Sequence, residues 1–92
     1  MDTVKANNNL LESLKKAILA QADHWDVEIT KEGHIQVTQQ FSACAEEEPH
    51  DVAWDLYCSM VETIKEILPE NWEMCDSYTD HDTVQTGWRE RQ

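Results

Sequence analysis

Between Asn9 and Trp25, apolar residues recur at steps of three and four. Leu10, Leu14, Ala17 and Ile18 fall on one face with Gln21, and Leu11 widens it. Glu12, Lys15, Lys16 and Asp23 fall mostly on the other side. This period predicts an amphipathic helix. Asn7, Asn8 and Asn9 offer N-cap side chains, and Glu12 follows Asn9 at capping-box spacing.

The period then changes to two. Trp25, Val27 and Ile29 alternate with Asp26, Glu28 and Thr30; Ile35, Val37 and Phe41 alternate with Gln36, Thr38 and Gln40. Two alternating runs around Lys31-Glu32-Gly33-His34 predict a β-hairpin, with Gly33 supplying a positive φ in the turn. One face of this hairpin is apolar and packs on helices; the other is polar. Its outer edge, near Gln36, Thr38 and Gln40, is expected to be free for strand addition.

Residues 42–50 read as a loop. Pro49 suits the first position of a helix, and Glu46, Glu47 and Glu48 suit the positive end of its dipole. A second helix is predicted from there to about Leu68, where Pro69 stops it. Val52, Leu56, Met60, Ile64, Ile67 and Leu68 form its core stripe, and Trp54, Tyr57, Cys58 and Val61 widen the apolar surface. Beyond it, weak alternation predicts a second hairpin, Trp72 to Tyr78 and Thr83 to Arg89, turning at Asp80-His81-Asp82. A frayed tail after Tyr78 is the alternative. The expected architecture is α+β, in the order α-β-β-α-β-β, with a small antiparallel sheet and two helices packed on one face. Residues 1–92 make a single domain, with 1–8 flexible and 89–92 frayed.

Charge changes this picture more than composition does. The net charge is −12, from 19 acidic and seven basic residues. It is concentrated: residues 44–82 hold twelve acids and a single base, Lys65. Such a balance argues against direct contact with nucleic acid or an anionic membrane, which need clustered Lys and Arg. It fits a basic protein partner. Asp51, Asp55, Glu62 and Glu66 stand at steps of four, seven and four, on one side of the second helix, where like charges repel. The other reading is an ordinary solvated face.

Catalytic and metal chemistry find little support. Cys44, Cys58 and Cys75 are odd in number and widely spaced, without a Cys-x-x-Cys pair, which suits a reducing cytoplasm. Neither a signal-peptide core nor a membrane-length apolar run is present. Asp76, Asp80, His81 and Asp82 fail the calcium-loop pattern, since position six is His81 and position twelve is Gly87. His50, His81 and Cys75 lack zinc-ligand spacing. Cys58 sits among apolar residues, where an inert thiol is expected. His24, His34 and His50 read as surface or cap residues. No phosphate loop, nucleophile elbow or His-Glu-x-x-His occurs. The chain is therefore expected to be neither an enzyme nor a holder of a cofactor or metal.

With its carboxylate rows Glu46–Asp55 and Glu62–Asp82, the chain resembles small acidic phage-encoded anti-defence proteins, the anti-CRISPR and anti-restriction inhibitors of DNA-mimic type. It is similar in size and charge to immunity proteins that neutralise basic toxins. The resemblance implies an inhibitor that blocks a nuclease or CRISPR effector by replacing phosphates in a basic cleft. The expected contact residues are Glu46, Glu47, Glu48, Asp51, Asp55, Glu62, Glu66, Asp76, Asp80 and Asp82, with Trp54 or Tyr57 as apolar anchors. Trp72 and Trp88 are assigned to core or anchor roles. A homodimer joined through the second helix or a sheet edge is the reading from another class.

Overall fold

The computed structural model describes residues 2–42, 46 and 48–91, with side chains from Asn9 onward among those of the first helix. These residues form α1 (Asp2–Gln21), β1 (Asp26–Ile29), β2 (Ile35–Gln40), α2 (Pro49–Ile67), β3 (Trp72–Thr79) and β4 (Thr83–Glu90). The fold is α+β in the expected order. The sheet is antiparallel throughout, with strand order β1-β2-β4-β3.

α1 begins earlier than its apolar pattern. It starts at Asp2, so Asn7, Asn8 and Asn9 lie within the helix rather than capping it, and the capping box with Glu12 does not exist. Residues 2–8, expected to be flexible, are its first turns. Its buried stripe is Leu11, Leu14 and Ile18, continued by Ala22 just past the helix, while Leu10 is exposed. Leu14 and Ile18 are buried as expected, and the face is turned toward Leu11 and Ala22, leaving Leu10 and Gln21 outside it.

α2 begins with Pro49 at its first turn, after Glu48 in extended conformation (φ −82°, ψ 121°). It ends at Ile67, and Leu68 donates its backbone N–H to the Ile64 carbonyl before Pro69. The deepest positions of its inner face are Ala53, Met60 and Ile64, with Leu68 just beyond the helix. Val52, Leu56 and Ile67 are only half-buried. Tyr57 and Val61 complete the contact with the core.

Strand alternation aims one row of the sheet at both helices. Val27 on β1, Ile35 and Val37 on β2, and Val84, Thr86 and Trp88 on β4 are buried, and they share one core with the inner stripes of α1 and α2. At its centre, Trp88 Nε1 donates to Thr86 Oγ1 at 2.8 Å, and the Thr86 hydroxyl donates to Met60 Sδ at 3.3 Å. Those contacts satisfy a buried hydroxyl that would otherwise cost stability.

Gly33 has φ +83° and turns the first hairpin, as its sequence position requires. The expected free edge at Gln36, Thr38 and Gln40 is not an edge. β2 is an inner strand, paired with β1 on one side and with β4 on the other through Gln36↔Gly87 and Thr38↔Gln85. The sheet edges are β1 and β3. The second hairpin is present and longer than expected. Arg89 and Glu90, expected to fray, belong to β4, and Arg91 donates its backbone N–H to the Asn71 carbonyl.

Candidate partner-binding surface

α2 packs its inner face on the sheet, so its outer face is turned to solvent. Asp51, Asp55, Glu62 and Glu66 are all exposed there. Among the described residues, Asp55, Glu62 and Glu66 have no ion-pair partner, and Asp51 meets only the His50 imidazole, at 3.3 Å. One turn along from Asp51 stands Trp54, 62% exposed. Its ring stacks on that of Tyr57, with centroids 5.6 Å apart and planes 26° apart. Tyr57 is half-buried, and its hydroxyl donates to Met74 Sδ at 3.6 Å, which ties the outer aromatic to β3.

The β3–β4 turn lies at the N-terminal end of this helix. Pro49, His50, Thr79, Asp80 and His81 line a cavity of about 380 Å3 between them. Asp80 is tightly held. Its Oδ2 accepts from the Tyr78 hydroxyl at 2.7 Å, and its Oδ1 accepts from the His81 backbone N–H at 2.6 Å and from His81 Nδ1 at 2.7 Å. These donors, Tyr78 first, lower the Asp80 carboxyl to about 2. Its carboxylate in turn raises the His81 imidazole above its usual value, with Asp82 adding to the effect. The Tyr78 hydroxyl is raised for the same reason, its bond to Asp80.

The expected contact residues therefore do not make one surface. Asp51, Asp55, Glu62, Glu66, Trp54 and Tyr57 share α2, and Asp80 and Asp82 adjoin its start. Glu48 precedes Pro49 and is exposed, with no side-chain cap bond; Glu46 is exposed in the preceding turn. Glu47 and Cys44 lie outside the described residues. Asp76 is elsewhere: it pairs with Gly87 and so points to the sheet face away from the helices.

That open face carries a contact that the spacing of residues did not disclose. β3 bulges between Met74 and Asp76. The Cys75 thiol from the bulge comes within 3.8 Å of His34 Nδ1. Gly87 lies beside this contact: a Cβ built on it would sit 3.6 Å from Cys75 Sγ and 3.2 Å from the Asp76 Cβ. A glycine inside an alternating strand was the available signal of such close approach. At the same end of the sheet, Leu10, Leu11, His34, Glu73, Arg89 and Arg91 help line a cavity of about 480 Å3. Arg89 and Arg91 are committed to Glu73, at 2.9 and 3.4 Å. This pairing, with Arg89 as the larger influence, holds the Glu73 carboxyl below its usual value.

No known family model, curated protein or solved structure matches the chain. Among the described residues, no helix is long and apolar enough to cross a membrane.

Proposed function

We propose that the chain is an acidic inhibitor that binds a basic, nucleic-acid-handling protein through the outer face of α2. The observation that carries this reading is a row of four exposed carboxylates on α2, of which Asp55, Glu62 and Glu66 have no ion-pair partner among the described residues, flanked on the same helix by an exposed Trp54 that stacks on the half-buried Tyr57. Carboxylates spaced along a rigid helix can replace phosphates in a basic cleft, while the indole supplies apolar contact area that charge alone lacks. Asp80 and Asp82 extend the same surface past the start of α2. Asp76 has no part in it. The mechanism is steric and electrostatic blockade of a nuclease or CRISPR effector, as in the anti-defence proteins the chain resembles, and the proposed setting is the cytoplasm.

The test is inhibition of nucleic-acid cleavage by a captured, purified partner. Wild-type chain blocks cleavage and competes with nucleic acid for the partner. The variant with Asp51, Asp55, Glu62 and Glu66 all changed to Lys does neither. Retention of binding by that variant ends the charge-mimicry reading. An immunity protein would use the same face, but against one cognate toxin, so binding confined to a single toxin encoded beside this chain points there instead.

A further inference from the structure

β2 is an inner strand, but the sheet ends in an open edge at β3. The other edge, β1, has four residues, whereas β3 has eight. Among the described residues, the backbone of residues 73–79 bonds only to β4. Asp80 N–H donates to the Thr83 carbonyl at 2.8 Å and closes the hairpin. Alternate residues of an antiparallel ladder turn their N–H and C=O groups toward the partner strand. Counting back from Asp80, Tyr78 faces β4, and Thr79 and Ser77 direct their backbone groups off the sheet. Natural edges are guarded by lysine, proline or bulges. β3 has neither lysine nor proline. Its one bulge lies between Met74 and Asp76, and the run from Asp76 to Thr79 beyond it is regular and exposed.

A strand added here meets different chemistry on its two sides. Ser77 and Thr79 stand opposite the buried Thr86 and Val84, so they share the helix-side face. α2 overhangs that face. Its Leu56, Ser59 and Thr63 share a cavity with Gln21 and Ala22 at the end of α1. Tyr57 faces the opposite way, onto Met74 of β3. Trp54 lies on Tyr57 and carries the apolar ledge further out. On the open face stand Asp76 and Tyr78, both exposed. Among the described residues, Asp76 has no ion-pair partner.

We propose that the edge of β3 accepts an extended segment of the partner protein in which basic and apolar residues alternate. Main-chain bonds to Ser77 and Thr79 hold it, as in other cases of strand addition. Its apolar side chains rest against Trp54 and Tyr57, and its basic ones reach Asp76 on the open face. Charge decides between occupants. Pairing of β3 with β3 of a second copy would crowd the Glu73 and Asp76 carboxylates of both, and like charges across a ladder destabilise it. A basic segment gains where a second copy loses, because residues 44–82 hold twelve acids and a single base. This pairing rests on the basic partner proposed above and adds the form of what that partner inserts.

The probe is a short capped synthetic peptide alternating arginine and valine, titrated into the isotope-labelled full chain and followed by NMR. Binding should shift the amide signals of Ser77 and Thr79 and slow their exchange with solvent. The same peptide methylated on every backbone nitrogen keeps its charge and loses its donors, and it should bind about tenfold more weakly or worse. Ser77→Pro removes an outward N–H and leaves the β4 ladder alone, and an edge strand tolerates proline. That variant should bind the unmodified peptide about tenfold more weakly or worse, with circular dichroism unchanged. Should it unfold, the methylated peptide still decides. Equal affinity of the two peptides, or shifts confined to α2, would overturn strand addition. So would a chain that sediments as a dimer and becomes a monomer as Ser77→Pro, since the edge then belongs to a second copy. The captured partner separates this pairing from the acidic-face reading. Binding lost when Asp51, Asp55, Glu62 and Glu66 become Lys but kept in Ser77→Pro ends the strand pairing alone. Binding lost in Ser77→Pro but kept in the Lys variant supports the pairing and ends charge mimicry by α2.

Discussion

Trp54 lies flat against Tyr57 on the outside of α2, yet 62% of it stays exposed. Tyr57 is braced from beneath by Met74, so the indole rests on a fixed support rather than in a pocket. A side chain this exposed contributes little to folding, and its replacement should cost no more than about 0.5 kcal/mol. As an anchor at an interface it would matter far more. Trp54→Ala is expected to keep the unfolding midpoint and lose about tenfold or more in partner affinity. Equal affinity of variant and wild type would remove Trp54 from the interface.

The carboxylates of α2 predict an opposition between stability and binding. Asp51 and Asp55, and Glu62 and Glu66, are like charges one turn apart, each pair costing about 0.2–0.5 kcal/mol. Neutralising all four to Asn or Gln should therefore raise the melting temperature at low salt, and added salt should narrow the gap by screening the wild type. The same variant should bind the partner more weakly. A melting temperature that falls on neutralisation would mean that these carboxylates hold the fold.

Thr86 is the buried acceptor for Trp88 Nε1. Thr86→Val preserves shape and removes that acceptor, stranding an indole N–H in the core. Leaving a buried donor unpaired costs ~1–3 kcal/mol. For a domain of this size each kcal/mol moves the midpoint by about 4–8 °C. Chemical denaturation should show a lower midpoint with an unchanged slope, and tryptophan fluorescence of the native state should shift.

Much of the fold was legible because local chemistry agreed with it. Pro49, Pro69 and Gly33 each mark the boundary or turn they occupy. What escaped was set by distant residues. Leu10 and Leu11 are equally apolar, and only the packing of α1 decides which is buried. Gln36, Thr38 and Gln40 look like an exposed edge, but their polarity marks the open face of an inner strand, and only the β2–β4 pairing reveals that. Thr86 interrupts the apolar row of β4, which weakened the signal of that strand. The row of carboxylates on α2 followed from helical spacing alone. The removal of Asp76 from that surface did not, because its face depends on a bulge.

Gly87 makes room for that bulge. With a Cβ at this position 3.2 Å from the Asp76 Cβ, even alanine requires Asp76 to give way by a few tenths of an ångström. A branched side chain would also meet the Cys75 thiol. Overpacking of this kind costs ~1–3 kcal/mol. Gly87→Val should lower the unfolding midpoint and separate Cys75 from His34. In the wild type, exposed Cys75 should react with iodoacetamide faster than half-buried Cys58.

Glu73 gives the fold a definite response to acid. Its carboxylate accepts from Arg89 and Arg91, and its pKa in the folded state lies below the ordinary 4.5. Glu32, His34 and Glu90 line the same cavity, and Glu32 is lowered too, chiefly by its own backbone N–H and then by the Thr30 hydroxyl. A carboxyl with a depressed folded pKa contributes stability that is fully present above the unfolded value of about 4.5. That contribution declines as pH falls and is gone below the folded pKa, where both states hold the proton. Glu73→Gln cannot titrate there. Wild type should therefore exceed Glu73→Gln in stability by a constant margin at neutral pH, and the two should converge as pH drops below 4.5. Because the pair is exposed, raising salt should shrink the neutral-pH margin as well. Denaturation midpoints of both proteins across pH 3–7 decide the matter: a margin independent of pH would mean that Glu73 acts through packing or hydrogen bonding, not through its charge on Arg89 and Arg91.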